Sequence, residues 1–156
     1  MTNGLALRPA TEDDYDFLYE LHRAAMMESI EATWGWDELW QKAYFQEHFD
    51  PARRRIVLLD GREIGVISIE TRDSALYLAL IEIDPGCQRQ GIGTALLRQF
   101  KERALSAGSA ATLHVLKANE SARRLYEREG FKIIGEEEHK YLMQLNPDPD
   151  DLAQQK

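Results

Sequence analysis

Leu76–Asp84 is a mostly apolar run of strand length, followed by Pro85 and then by Gly86-Cys87-Gln88-Arg89-Gln90-Gly91-Ile92-Gly93. From there Ile92, Leu96, Leu97, Phe100 and Ala104 recur on one helical face. A strand that enters a helix through Gln88-x-x-Gly91-x-Gly93 constrains the fold more than any other segment of this chain. The first N–H groups of the helix have no intrahelical partners, and the helix dipole adds roughly +0.5 charge there. Glycines at 91 and 93 remove the Cβ atoms that would hold a pyrophosphate away from this backbone. The plainer alternative is a glycine turn that only starts a packed helix. Two common phosphate motifs fail against the letters. A dinucleotide fingerprint needs Gly or Ala where Leu96 stands, and a P-loop needs a Gly-Lys-Ser/Thr that is absent.

The remaining chain supplies an alternating frame. Leu5–Arg8 reads as a short strand, and Thr11 with Asp14 forms a capping box before a helix carrying Phe17, Leu18, Leu21, Ala25 and Met26. A second helix carries Leu39, Trp40, Ala43 and Tyr44 and ends by Asp50-Pro51. Ile56–Leu59 and Ile64–Glu70 flank Asp60-Gly61, a hairpin signal, and with Leu76–Asp84 they predict three consecutive antiparallel strands. Beyond the glycine-turn helix come a strand at Ala111–Leu116, a short helix capped by Asn119 and stopped by Gly130, and a strand pair at Phe131–Gly135 and Tyr141–Leu145. The order β-α-α-β-β-β-α-β-α-β-β predicts a mixed α+β domain with a mostly antiparallel sheet flanked by helices. Its 156 residues suggest one domain over 1–145, with an acidic, disordered tail at 146–156.

Charge and cysteine usage narrow the partners. With 19 Lys and Arg against 27 Asp and Glu, the net charge is −8, which disfavours nucleic-acid backbone binding. No run of eighteen apolar residues and no apolar N-terminal core predict membrane insertion or export. Cys87 is the only cysteine, as expected in a reducing compartment, so a cytoplasmic protein is predicted. Cys87 has no local His or acid to activate it as a nucleophile, and His22, His48, His114 and His139 are spaced too widely for a zinc signature. No metal is expected.

Asp84-Pro85-Gly-Cys-Gln88-Arg-Gln-Gly91-Ile-Gly93-Thr-Ala-Leu-Leu resembles the acetyl-CoA turn of the GNAT N-acetyltransferases. A second block, Leu113-x-Val115-x-x-x-Asn119-x-x-Ala122-x-x-x-Tyr126-Glu127-x-x-Gly130-Phe131, looks like that family's strand–Asn–helix–Tyr–Gly-Phe signature. Arg8-Pro9-Ala10-Thr11-Glu12-Asp13-Asp14 is a less specific third match, and the resemblance spans about residues 5–145.

The resemblance implies the acyl-CoA N-acyltransferase fold, acetyl-CoA as cosubstrate, and an acetyltransferase acting on a primary amine. A non-catalytic acyl-CoA sensor on the same fold is the rival. The backbone of Gln88, Arg89, Gln90, Gly91, Ile92, Gly93 and Thr94 would cradle the pyrophosphate, with the strand near Glu82, Ile83 and Asp84 pairing the pantetheine arm. Asn119 would touch that arm, Arg123 or Arg124 would reach the adenosine phosphate, and Tyr126 would protonate the departing sulfur. Glu82 or His114 would serve as the base, or a water would relay the proton. On the acceptor side, Trp34 with Glu28 and Glu31 would hold an ammonium, and His139 and Tyr141 would line the far wall. The spacing of Trp36, Leu39, Trp40 and Ala43 alternatively predicts rings that fasten the second helix to the sheet. A homodimer through the C-terminal strands is compatible with this reading.

Overall fold

Thr11 starts the first helix with the predicted capping box. Its hydroxyl accepts the Asp13 N–H at 3.3 Å, while the Asp14 carboxylate accepts the Thr11 N–H at 2.8 Å. The computed structural model describes residues 4–146, so apart from Asn146 the expected disordered tail lies outside the described residues. The elements are β1 (Leu5–Pro9), α1 (Tyr15–Trp34), α2 (Glu38–Glu47), β2 (Arg55–Leu59), β3 (Arg62–Arg72), β4 (Ala75–Ile83), α3 (Ile92–Ser106), β5 (Ala111–Leu116), α4 (Glu120–Arg128), β6 (Lys132–Glu136) and β7 (Lys140–Leu145). This is the order expected from the sequence. The strands follow β1-β2-β3-β4-β5-β7-β6 in one seven-stranded sheet. The β1/β2, β2/β3, β5/β7 and β6/β7 pairs are antiparallel, and β4/β5 is parallel.

The chain forms two compact units. One takes the residues up to Ser68 together with Leu80–Gly93. Its core joins Ala10, Leu18, Leu21, Ile56 and Val66, with Phe17, Phe45, Phe49, Leu58 and Leu80 against them. Asp60 and Gly61 turn the β2–β3 hairpin with φ of 52° and 80°, the left-handed pair that a tight hairpin demands. The ladder then passes from Val57↔Gly65 to Leu58↔Glu63, so Ile64 is an extra residue in β3. This bulge brings Gly65 against β4, where a Cβ would lie 2.7 Å from the Glu82 carbonyl oxygen and 2.9 Å from the Ile83 side chain. Gly65→Ala should therefore destabilise the fold by about 1–3 kcal/mol, as overpacking does, measured by urea denaturation. Unchanged stability would mean that β4 yields freely.

The expected packing of α2 is corrected here. Leu39 is 81% exposed, and Trp40 and Ala43 are exposed as well. The helix instead turns Gln41 and Phe45 inward. Phe45 meets Tyr15 and Tyr19 edge-on, each at 5.3 Å, and those aromatic contacts set the rotation of the helix. Trp40, Tyr44 and His48 stack one turn apart along another face, at 5.0 and 4.1 Å.

The other unit takes Ile69–Ala79 and the chain from Thr94 onward. Here Leu76–Leu78 pair with Ala111–Leu113, and β7 lies between β5 and β6. Leu96, Leu97, Phe100 and Ala104 of α3 are buried as their spacing predicted, each worth about 1.5–3 kcal/mol for the larger side chains. Phe100 stacks with Phe131 at 6.4 Å. The end of α4 is a complete Schellman motif: Gly130 has φ 98°, its N–H donates to Glu127, and the Phe131 N–H donates to Tyr126 at 3.0 Å. The accompanying ring contact, Tyr126 edge-on to Phe131 at 6.3 Å, is the apolar clasp of that motif. The spacing Tyr126-x-x-x-Gly130-Phe131 is therefore a helix stop that also fixes the Tyr126 ring.

Candidate active site

Glu82 is the one acid in the apolar second half of β4, and it is only 5% exposed. A buried carboxylate needs a partner, and α1 supplies one. His22 Nδ1 lies 2.9 Å from Glu82 Oε2, and its Nε2 lies 3.3 Å from Oε1 of buried Gln41 on α2. Both ring nitrogens thus face acceptor oxygens, an arrangement that suits imidazolium. Burial pulls the His22 proton affinity down, but the hydrogen bond and charge of Glu82 outweigh it, and the pKa is raised above its ordinary 6.5. Phe45 and Trp36 rings, each 5.9 Å away, complete the surroundings.

The pH dependence follows from the direction of that shift. A raised folded pKa means that the pair contributes its full stability below the unfolded value near ~6.5 and loses it as the pH climbs through the folded value. Wild type should therefore exceed His22→Phe by about 1.5–3 kcal/mol at pH 5.5, with the gap shrinking above neutrality. Denaturation across pH 5 to 9 checks this, and a pH-independent gap would exclude a protonated pair.

The dyad opens into a cavity of about 700 Å³ within the first unit. Its wall is chiefly apolar, with Met26, Ile30, Trp34, Trp40, Tyr44, Phe45 and Leu80, and its polar groups include His22, Gln41, Arg54 and Glu82. At the end of β4 the chain makes the glycine turn. The Asp84 carboxylate accepts the Gly86 N–H at 2.8 Å, and the Asp84 N–H donates to Ile64. Gln88 braces the turn, with its side-chain amide donating to the Ile83 carbonyl at 3.1 Å and its backbone N–H to Pro85 at 3.3 Å. Arg89 and Gly91 have φ of 67° and 78°. Left-handed residues alternating with ordinary ones turn successive N–H groups to one side, and α3 begins at once with Ile92, Gly93 and Thr94. A Cβ on Gly91 would meet nothing within 4 Å.

In the other unit Tyr126 is 6% exposed, and burial pushes its pKa up to about 12. Among the described residues its hydroxyl has no hydrogen-bond partner, yet it is not an enclosed orphan, so the oxygen keeps an accessible face.

The profile of the Acetyltransferase (GNAT) family matches residues 15–131. The chain belongs to this family. Among solved structures, the PaiA N-acetyltransferase from Thermoplasma acidophilum in complex with coenzyme A is similar at TM-score 0.75 and 16% identity, over 91% of this chain and 98% of that one. Arabidopsis thaliana Naa50 in complex with the bisubstrate analogue CoA-Ac-MVNAL is similar at TM-score 0.62 and 17% identity, over 92% and 99%. These likenesses establish the GNAT fold. The N-acetylaspartate synthetase of Danio rerio is 30% identical over 97 residues, 60% of this chain and 34% of that protein. The chain thus spans about a third of the length of this curated relative.

Within the GNAT frame the remaining expected residues are found in varied settings. Trp34 lines the cavity; Glu28 and Glu31 do not, and the Glu31 carboxylate accepts the Trp36 N–H at 2.6 Å. His114 lies 2.7 Å from the Tyr77 hydroxyl and 3.3 Å from Glu137, and burial lowers its pKa. Tyr141 sits beneath Lys117 Nζ at 5.3 Å, and neither His114 nor Tyr141 is among the residues lining the cavity. Asn119 Oδ1 accepts the Ala122 N–H and caps α4, while Arg124 pairs with Glu120 at 3.6 Å in the open. Cys87 is buried, its sulfur accepting from Arg62 at 3.3 Å. Sequence reasoning missed His22, Gln41 and Arg54. For His22 and Gln41 the signal was a polar residue on the inward side of a helix, which gains meaning only beside the lone acid of β4, and Arg54, just ahead of β2, carried no such signal. Among the described residues, no three His, Cys, Asp or Glu side chains gather as a metal group, and no helix is long and apolar enough to cross a membrane.

Proposed function

We propose that this protein transfers the acetyl group of acetyl-CoA to a primary amine of a small molecule or peptide by direct attack in a ternary complex. What carries the reading is the turn after β4. Left-handed Arg89 and Gly91 followed at once by the start of α3 present a row of N–H groups suited to a pyrophosphate. Arg89 through Thr94 supply that cradle, with Gln88 and Asp84 holding its shape. Successive strand N–H groups point to opposite edges. Since the Asp84 N–H is taken by Ile64, the Ile83 N–H faces the other edge, where it can pair with the pantetheine arm and meet the developing oxyanion.

The acceptor enters the cavity of α1 and α2. An alkylammonium with a pKa near ~10.4 must lose a proton to become a nucleophile. Glu82 takes that proton, and His22 holds its carboxylate in position. The nitrogen then bonds to the acetyl carbon, the carbon–sulfur bond breaks, the Tyr126 hydroxyl gives its proton to the leaving sulfur, and the second proton of the nitrogen passes through water to restore the phenol. The reaction needs no metal in this reading, and the protein works in the cytoplasm.

The test is free-thiol release from acetyl-CoA across polyamines, amino acids, aminoglycosides and short peptides, with thermal shift alongside. Thiol release dependent on one acceptor class supports the assignment. Stabilisation by acetyl-CoA without turnover on any acceptor would favour the sensor alternative, and neither response would remove the cofactor assignment.

A further inference from the structure

The acceptor cavity holds a cation whose charge no neighbour answers at contact distance. Arg54 stands immediately ahead of β2, fixed there by its own N–H donating to the Pro51 carbonyl and by its carbonyl accepting the Ala10 N–H at 3.0 Å. Its guanidinium lines the cavity, half-buried and 5.6 Å from the Phe45 ring centre. Glu82 and Asp50 are the acids whose charges reach it, and each is already engaged, Glu82 with His22 at 2.9 Å and Asp50 with Arg53 at 3.1 Å. Asp37, the other acid of the lining, accepts the Trp40 N–H at 3.0 Å as the cap of α2. Among the described residues Arg54 has no ion pair.

A guanidinium withdrawn from water without a carboxylate is disfavoured, and burial holds this one below its ordinary pKa. Its planar fork matches a carboxylate in two parallel hydrogen bonds, a geometry lysine cannot offer. The rest of the wall is aromatic and aliphatic, and the volume suits a ligand larger than its headgroup alone. The cavity therefore offers an acid for an ammonium, a fork for a carboxylate, and an apolar wall for a side chain.

We propose that the acceptor is a free amino acid with a large apolar side chain, its carboxylate held by Arg54, its amine delivered to Glu82, and its side chain packed among Trp34, Trp40 and Tyr44. This rests on the acceptor cavity assigned above. Its consequence is selectivity: a peptide N-terminus or an amino-acid amide has no carboxylate beside its amine, and leaves Arg54 unanswered.

The experiment compares L-phenylalanine, L-leucine and L-tryptophan with their amides and with 2-phenylethylamine, by thiol release from acetyl-CoA. The free acids should exceed the amides at least tenfold in kcat/KM. Arg54→Gln should bring each acid down to within about threefold of its amide, and Arg54→Lys should retain part of the preference. Calorimetry with N-acetyl-L-phenylalanine and N-acetyl-L-phenylalaninamide gives the same comparison without turnover, and the acid should bind at least tenfold tighter to the wild type. Amides or the amine turning over as well as the acids would leave acetyl transfer standing and overturn the carboxylate clamp. Equal binding of the two acetylated products would overturn it independently. An Arg54→Gln variant that weakens acids and amides by the same factor would also overturn it.

Discussion

Tyr126→Phe should reduce kcat for acetyl transfer by about 10²–10⁴, while coenzyme A affinity and fold stability stay close to wild type. The ring is held edge-on by Phe131 and by the helix-stop geometry at Gly130, none of which involves the hydroxyl. That oxygen has no partner among the described residues, so removing it breaks no internal hydrogen bond, and the stability change should stay within about 0.5 kcal/mol. What is lost is the proposed donor to the leaving sulfur. A thiol of reference pKa ~8.5 departs as an anion, and a phenol raised to about 12 remains protonated wherever the enzyme operates. The wild-type kcat profile should therefore carry no limb from Tyr126 below about pH 10. Steady-state kinetics paired with calorimetry checks both parts. A kcat within threefold of wild type would strip Tyr126 of its catalytic role.

Gly91→Glu should abolish coenzyme A binding. Two effects accompany the substitution and a control separates them. At φ 78° any side chain strains the backbone, by roughly 1–2 kcal/mol, and Gly91→Ala shares that strain. Alanine adds a Cβ that meets no protein atom within 4 Å, so the fold has room for it. Glutamate adds a carboxylate at the proposed place of the pyrophosphate, and like charges in that position repel. Calorimetric titration with coenzyme A should give an affinity loss above 100-fold for glutamate and a few-fold loss for alanine, with both variants folded by thermal denaturation. Glutamate binding within threefold of wild type would remove the turn from the binding site.

Much of this was legible in the letters because the elements are written in local chemistry. The Thr11–Asp14 cap, the Asp60-Gly61 turn, the apolar stripe of α3 and the stop at Gly130 each depend on residues a few positions apart. The two GNAT blocks are legible for the same reason, since a turn and a helix end are local structures. The acceptor side was not. Its composition pointed to Glu28, Glu31 and Trp34, but Glu31 is used to cap the chain at Trp36, and the cavity draws on Glu82 and Arg54 instead. His22 and Glu82 are sixty positions apart, and no periodicity links them. The face of α2 was misread because Leu39, Trp40 and Ala43 make the more apolar stripe, whereas the ring contacts of Phe45 decide which stripe turns inward.

All three tryptophans of the chain gather around one cavity: Trp34 and Trp40 line it, and Trp36 lies 5.9 Å from His22. Indole emission from this protein is consequently a local optical probe of that cavity. Protonation of His22, or an aromatic guest in the cavity, would register beside these fluorophores, while the glycine turn carries no indole of its own. The molecule comes with a built-in reporter for whatever enters that cavity.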